Sequence, residues 1–238
     1  MRKSLLSLAM IAAAAATPAQ AEKLYDFGSV SLNHIEWFDA NPWHEQLTFV
    51  EVEYGAGYTW GSHYGFIDLE RDHNGDNGLS VKQNFTYNLG ASDFAAFGQV
   101  FHTESLEDRS SFYATDWVLG MQYNGFDFGK VMFKPFLGAV YSNNNDQNGD
   151  FNGAMYGHLL VAPINEHFTI TNWHETQFAK DEKFDGESYS HNGAIAAWYH
   201  TPVENFDLGL QYRYGYHKLG TYYQNGNYGA IFTAKYNF

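Results

Sequence analysis

Apolar and polar residues alternate along residues 228–238, the last stretch of the sequence. One set of alternate positions is wholly apolar or aromatic and ends at Phe238, whereas the other is mostly small or polar and carries a single charge, Lys235. Successive side chains of a strand point to opposite faces, so this pattern predicts a strand with different surroundings on its two sides. The scarcity of charge on the polar face favours a lipid-exposed strand over a strand of a soluble β-sandwich.

Glycine, asparagine, proline and charged residues divide the chain into twelve extended segments. We place these segments at residues 27–37, 46–60, 62–71, 79–89, 93–104, 111–124, 130–142, 153–163, 167–179, 189–201, 206–218 and 227–238. An even number of alternating segments predicts an all-β fold, a transmembrane antiparallel up-and-down β-barrel of 12 strands. We expect residues 22–238 to form this single domain.

The connections between these segments differ in character from one to the next. Longer, polar connections fall at residues 39–45, 71–78, 104–110, 143–152, 180–188 and 219–226. Shorter turns fall between them, at residues 61–62, 90–92, 125–129, 163–166 and 202–205. This sorting is typical of a membrane barrel with both termini and the short turns on the periplasmic side and the long loops outside.

Residues 1–21 have the pattern of a cleaved secretory signal. Arg2 and Lys3 precede an apolar run at residues 5–16, and residues 19–21 form a small-x-small cleavage pattern. The run is shorter than the roughly 18 apolar residues that a membrane-spanning helix needs. We therefore expect residues 1–21 to be removed on export.

The composition excludes several classes of partner and of fold. The formal net charge is −14, or −16 without residues 1–21 (11 Lys and Arg against 27 Asp and Glu), so a nucleic-acid partner is not expected. The chain has no cysteine, so disulfide bonds cannot stabilise it. Aromatic residues make up 18% although the mean hydropathy is −0.42, as expected for strands that are half lipid-facing and half water-facing.

The second and third segments predict an acidic, aromatic lining. Val50, Val52 and Tyr54 share one face, which places Glu51 and Glu53 on the other, and carboxylates are costly against lipid. By the same argument, Tyr64, Phe66 and Asp68 point inward from the third segment. We expect all five side chains to face the lumen.

Other segments add inward charges. Asp116 faces inward from the sixth segment and Arg213 from the eleventh. The ninth segment has polar residues on both faces, and we assign Trp173 and Glu175 to the inner one. Inward charges of this kind are explained equally well by acidic and basic side chains that neutralise each other and by side chains that bind a substrate.

Inward rings beside carboxylates suggest a class of solute. Tyr64 and Phe66 could simply fill space, or they could stack on a flat ring while Glu51, Glu53 and Asp68 accept hydrogen bonds from hydroxyl or amine groups. The second reading suits a neutral, planar, hydroxylated solute better than an anion.

The same residues carry a resemblance to a known family. Residues 49–54, followed by residues 64–68, resemble the second and third strands of the Tsx-like nucleoside-specific channel-forming proteins of Gram-negative outer membranes, and a looser similarity extends over most of the chain. The resemblance implies a monomeric barrel in outer-membrane lipid and lipopolysaccharide, passing nucleosides or deoxynucleosides. Shorter loops around residues 71–78 and 219–226 depart from the family and leave the substrate open. The predicted pore-lining set is Glu51, Glu53, Tyr64, Phe66, Asp68, Asp116, Trp173, Glu175 and Arg213.

Three alternatives to a selective passive channel remain at this point. A lipid-hydrolysing barrel enzyme would need a serine and a histidine, and the candidates lie in the His-Asn-Gly triplets at 73–75 and 191–193, the second preceded by Ser188 and Ser190; neither has a catalytic signature. A calcium loop at 143–150 lacks its bidentate glutamate, so we expect neither metal nor cofactor. The third alternative is a non-selective or plugged barrel. Phage or colicin attachment to the outer loops would be compatible with any of these.

Overall fold

Twelve strands form a closed antiparallel barrel in the computed structural model, which describes residues 22–38, 46–72, 75–107, 112–185, 187–217 and 227–238. The strands are β1 (Lys23–Trp37), β2 (Leu47–Tyr58), β3 (Gly61–Asp72), β4 (Asn77–Asn88), β5 (Phe94–Ser105), β6 (Tyr113–Tyr123), β7 (Met132–Asn144), β8 (Asp150–Pro163), β9 (Phe168–Phe178), β10 (Tyr189–His200), β11 (Phe206–Tyr216) and β12 (Asn227–Asn237). The prediction of a 12-stranded up-and-down barrel is confirmed. The expected signal at residues 1–21 lies outside the described residues.

Pairing between β1 and β12 closes the barrel. The pairs run from Ser29 opposite Asn237 to Trp37 opposite Gly229, so no strand edge is left exposed at the seam. The terminal residue takes part, because Phe238 N–H donates to Gly28 O over 2.9 Å. The Phe238 ring covers Gly28 so closely that a Cβ atom there would lie 2.5 Å from it.

The outer face is apolar, as the alternation predicted. On β2, Val50 is 40% exposed and Val52 47% exposed, while the acidic residues between them are less accessible. On β11, Leu208, Leu210 and Tyr212 are likewise exposed on alternate positions. No described segment is a helix long and apolar enough to cross a membrane.

The polar residues on the outer face of β9 form hydrogen bonds with one another and with neighbouring strands. Both faces of β9 are therefore polar, so composition did not show which face points outward. His158 Nε2 on β8 lies 2.7 Å from Asn172 Oδ1. His174 bonds through Nδ1 to the Tyr214 hydroxyl at 2.9 Å and through Nε2 to Thr176 Oγ1 at 2.7 Å. Paired polar groups of this kind cost far less against lipid than unpaired ones. On the opposite face of β9, Trp173 contacts Lys82 and Arg213, and Glu175 contacts Gln99 on β5.

Part of the interior is packed with hydrocarbon rather than filled by water. Five buried side chains from β5 to β8 form one cluster: Phe97, Val118, Phe136, Val140 and Met155. The rings of Phe97 and Phe136 stack with their centres 4.2 Å apart. Burial of such side chains contributes about 1.5–3 kcal/mol each. The cluster therefore occupies part of the inner side of β5–β8.

Two details of the connections differ from the predictions. The turn between β2 and β3 is at residues 59–60, not 61–62, because Gly61 already lies against β4, where a Cβ atom would be 2.0 Å from Thr86 O. The predicted length sorting was also wrong at two outer connections. The turn between Tyr123 and Met132 is longer than the outer loop between Asn144 and Asp150, because β7 lies two residues later than its predicted segment and β8 begins three residues earlier. The outer connection between Asp72 and Asn77 is likewise shorter than the turn between Asn88 and Phe94.

A short helix, α1 (Glu182–Asp185), lies in the outer connection between β9 and β10. Lys183 fixes it to the barrel rim, since its Nζ lies 2.7 Å from Asp150 Oδ2 and 2.9 Å from Asp181 Oδ2. The backbone N–H of Asp181 also donates to Asn152 Oδ1 over 2.9 Å. These bonds hold the loop against the start of β8.

Candidate functional site

The acidic wall of the lumen is built by β1, β2 and β3. Glu51 faces Asp68 in the register of β2 and β3, and Glu53 faces Phe66. Hydroxyl groups on β1 support both glutamates: Ser29 Oγ donates to Glu53 Oε1 over 2.8 Å, and Ser31 Oγ donates to Glu51 Oε1 over 3.4 Å. The pleat of three adjacent strands thus brings three carboxyl groups to one patch.

Aromatic rings continue from this wall toward the end of the barrel that holds both termini. The Tyr64 hydroxyl donates to Glu53 Oε2 over 3.0 Å. The Tyr64 ring centre lies 6.5 Å from that of Phe66 and 6.1 Å from that of Phe27, with the second pair stacked. The three rings and Glu53 therefore form one continuous surface.

Lys235 extends this surface across the barrel seam. Its Nζ lies 2.6 Å from Glu53 Oε1 and 4.1 Å from the centre of the Trp198 ring on β10. Trp198 is in turn held by its Nε1–H, which donates to Thr171 Oγ1 over 3.0 Å. We call the chain Trp198–Lys235–Glu53–Tyr64–Phe66 the lumen ladder.

A second group of predicted residues gathers around Trp173 on β9. Two cations lie over its ring, with Arg213 Cζ 4.7 Å and Lys82 Nζ 5.2 Å from the ring centre. Arg213 is anchored because its Nη1–H donates to Gly193 O over 2.8 Å. The cations occupy the electron-rich ring that a substrate would need for stacking, so Trp173 is available only in part.

Glu175 joins this group to the far side of the barrel. Its Oε1 accepts from Lys82 Nζ on β4 at 2.5 Å and from Gln99 Nε2 on β5 at 3.0 Å. All three side chains are largely buried. We call the Lys82–Glu175 pair the cross-lumen strut, because strands on different sides of the barrel contribute its two ends.

Asp116 belongs to neither group. Ser142 Oγ donates to Asp116 Oδ1 over 2.6 Å, and Asn152 Nδ2 donates to Ser142 Oγ over 2.9 Å. This network ties β6, β7 and β8 together near the outer loops, away from the acidic wall. These bonds connect Asp116 to the two strands that follow its own.

Several contacting residues were missed by the sequence analysis. Lys82, Gln99, Trp198 and Phe27 complete the two groups, and Lys235 was seen only as a charge on the inner face. Lys82 lies on the polar side of β4, which is a visible signal. Its partner Glu175 is 93 positions away, so only the curvature of the closed sheet brings them together.

The best candidates for hydrolytic chemistry do not meet. Ser190 is fully buried on the inner side of β10, and His191 is the next residue, so it points to the opposite face. A serine nucleophile and its base must be within hydrogen-bond reach. The other triplet, 73–75, falls largely outside the described residues.

Comparison with known proteins agrees with this architecture. The KdgM porin in complex with disordered oligogalacturonate is similar in structure, with a TM-score of 0.53, 11% identity, and coverage of 88% of this chain and 99% of that chain. The NanC porin gives a TM-score of 0.55 at 10% identity, covering 87% of this chain and 98% of that chain. At such identity these similarities show the shared fold.

A family model identifies the chain more closely. The model described as nucleoside-specific channel-forming protein, Tsx, matches residues 25–238. The match includes all twelve strands apart from the first two residues of β1. It confirms the resemblance seen in residues 49–54 and 64–68 and the expected place of the barrel in the Gram-negative outer membrane. The chain belongs to the Tsx family of outer-membrane channel-forming proteins.

Proposed function

We propose that this protein is a passive channel for nucleosides and deoxynucleosides, and that the lumen ladder is their path. The observation that carries the proposal is the uninterrupted sequence of ring, cation, carboxylate and ring from Trp198 to Phe66. A nucleoside presents a flat base and a hydroxylated sugar. The ladder offers a matching partner for each.

The rings would hold the base. Base–aromatic stacking contributes about 1–3 kcal/mol per ring and tolerates any base, because every base has a π face. Tyr64 and Phe66 lie close enough for a base to pass from one ring to the next. No single ring needs to bind tightly.

The carboxyl groups would hold the sugar. Asp68 supports this role because its Oδ1 is buried and has no hydrogen-bond partner among the described residues. A ribose hydroxyl that donates to this oxygen would supply the hydrogen bond that it lacks. Glu51 and Glu53 would act similarly after small rearrangements. Each site must release as readily as it binds, since a tight site would trap the solute.

Single-channel recording tests the proposal. Thymidine added to a planar bilayer should partially block the current through the native protein, whereas glucose at the same concentration should not. Phe66→Ala should weaken the thymidine block more than it changes the open-channel conductance. The matched control is Phe232→Ala, which truncates a phenylalanine on the lipid face. Equal block by glucose would indicate a general pore, and absence of current would indicate a plugged barrel.

Three further features belong to the same proposal. The closed sheet encloses its own lumen, which favours a monomer as the working unit. The opposite orientation of Ser190 and His191 favours a channel without catalytic activity. Residues 22–238 would act as one domain after removal of residues 1–21.

A further inference from the structure

A small cavity opens at the end of the lumen that holds both chain termini. Its volume is about 150 Å³, and it lies among residues at the ends of β1–β4, β6 and β7. Gln122, Asn124, Asn88 and Lys134 contribute its nitrogen groups, and Ser62 and Thr86 contribute hydroxyls. We call this cavity the terminal vestibule.

Lys134 is the distinctive group in the terminal vestibule. The other inward-facing cations of the described strands, Lys82, Arg213 and Lys235, each have a hydrogen-bond acceptor or carboxylate within reach. Lys134 has neither an ion pair nor a hydrogen bond in the part of the chain that the structure describes. Its side chain is half-buried, so its ammonium group is partly removed from water without compensation.

The rest of the lining does not neutralise this charge. No residue that lines the vestibule is a carboxylate. Gln122 Nε2 donates to Asn124 Oδ1 over 2.8 Å, which leaves the Asn124 amide nitrogen free to donate into the cavity. The Ser62 and Thr86 hydroxyls bond to each other at 2.7 Å, and one of their protons remains available to another acceptor. The vestibule is therefore a donor-rich pocket with one positive charge.

The packed cluster limits how the vestibule can be reached. Lys134 is the inward residue next to Phe136 on β7, on the side of the termini, and Phe136 stacks on Phe97. These rings separate the vestibule from the outer-loop end along β5–β8. The carboxyl groups of the acidic wall lie further along β2 and β3, nearer the outer loops than the vestibule does.

We propose that the terminal vestibule is a binding site for a small oxyanion, of the class of inorganic phosphate, that enters from the periplasmic side. The ammonium group of Lys134 would form charge-assisted hydrogen bonds to the anion, and the amide and hydroxyl donors would satisfy its remaining oxygens. Occupancy would place a bound anion beside the exit of the ladder and reduce current. This site is separate from the lumen ladder and does not depend on the nucleoside proposal.

Bilayer recording with phosphate added to one side at a time tests this site. Inorganic phosphate should reduce the current through the native channel from one side only. Lys134→Gln should weaken that block about tenfold or more, the loss expected for a charge-assisted bond. Lys134→Arg should retain the block, and Lys130→Gln, which removes the same charge from the neighbouring turn, should leave it unchanged.

Several results would overturn the proposal. The proposal is wrong if phosphate blocks the native channel equally from both sides or does not block it at all. It is also wrong if phosphate blocks the Lys134→Gln channel as strongly as the native channel. It is also wrong if Lys134→Gln abolishes block by neutral uridine while phosphate has no effect, since the vestibule would then bind bases. Heat-modifiable gel mobility shows that each variant is folded. Thymidine block in Lys134→Gln reports on the lumen ladder independently.

Discussion

Lys82 Nζ lies 2.5 Å from Glu175 Oε1, although four strands separate β4 from β9 on the shorter way around the barrel. The pair spans the lumen instead of lying along one wall. Both side chains are largely buried, with exposed fractions of 13% and 9%. A crossing of this kind narrows the water-filled path and holds two distant parts of the sheet together.

Removal of the strut should widen the path and destabilise the barrel. We expect Lys82→Met to raise single-channel conductance, because the long cation no longer crosses the lumen. A double-mutant cycle of Lys82→Met and Glu175→Gln, followed by urea unfolding in vesicles, should give a coupling energy of about 0.5–3 kcal/mol. A cycle with Lys183→Met, a rim lysine, serves as the control. Unchanged conductance together with zero coupling would contradict the role of the strut.

Two substitutions at Tyr64 separate the contribution of its ring to nucleoside binding from that of its hydroxyl. Tyr64→Ala should weaken thymidine block by about 1–3 kcal/mol, the loss of one stacking partner. Tyr64→Phe keeps the ring and removes only the hydrogen bond to Glu53, so its effect on block should be smaller. Measurement of the channel block as a function of thymidine concentration gives the effect of each substitution. If the two variants behaved alike, the base would not be stacking on this ring.

Gly61 is required by close approach of two strands. A Cβ atom at this position would lie 2.0 Å from Thr86 O, so Gly61→Ala must push β3 away from β4. We expect a loss of unfolding free energy of at least about 1 kcal/mol. Gly98→Ala is the matched control, since its nearest neighbour would be Leu119 Cδ2 at an ordinary 3.7 Å. Equal stability of the two variants would show that β3 can move freely.

The outer loop that contains α1 should loosen in acid. The hydrogen bond from Lys183 lowers the pKa of the Asp181 carboxyl below its usual value of 3.8. A lowered folded-state pKa means that this bond stabilises the loop fully above pH 3.8 and ceases to do so as the pH falls through the lower value. The protection factors of the amides at residues 179–185 and 187–188, taken against the intrinsic exchange rate at each pH, should therefore fall below pH 3.8. Lys183→Gln should show fast exchange already at pH 7; slow exchange in that variant would rule out this anchor.

Most of the fold could be predicted from the sequence, because in each strand apolar residues that face lipid alternate with polar residues that face the lumen. The inward positions of Glu51, Glu53 and Asp68 follow from the cost of a carboxylate in hydrocarbon. The same rule failed to separate the faces of β9 by composition, since His174 is on the lipid side and is satisfied by Tyr214 and Thr176.

The arrangement of the site was less predictable. Asp116 obeys the alternation rule as well as Glu51 does, yet it binds Ser142 in a separate network. The alternation of apolar and polar residues predicts on which side of the sheet a side chain lies. It does not predict which strands face one another across the lumen. The strut and the packed cluster depend on that second relationship, which only the closed sheet provides.

Cysteine accessibility tests the central claim, that nucleosides pass through a water-filled lumen surrounded by lipid. The chain contains no cysteine, so single variants have no background. A water-soluble maleimide should label Glu51→Cys in vesicles much faster than Val52→Cys, and thymidine but not glucose should slow the labelling of Glu51→Cys. Equal labelling of the two positions, or labelling of Glu51→Cys that thymidine does not affect, would contradict the account.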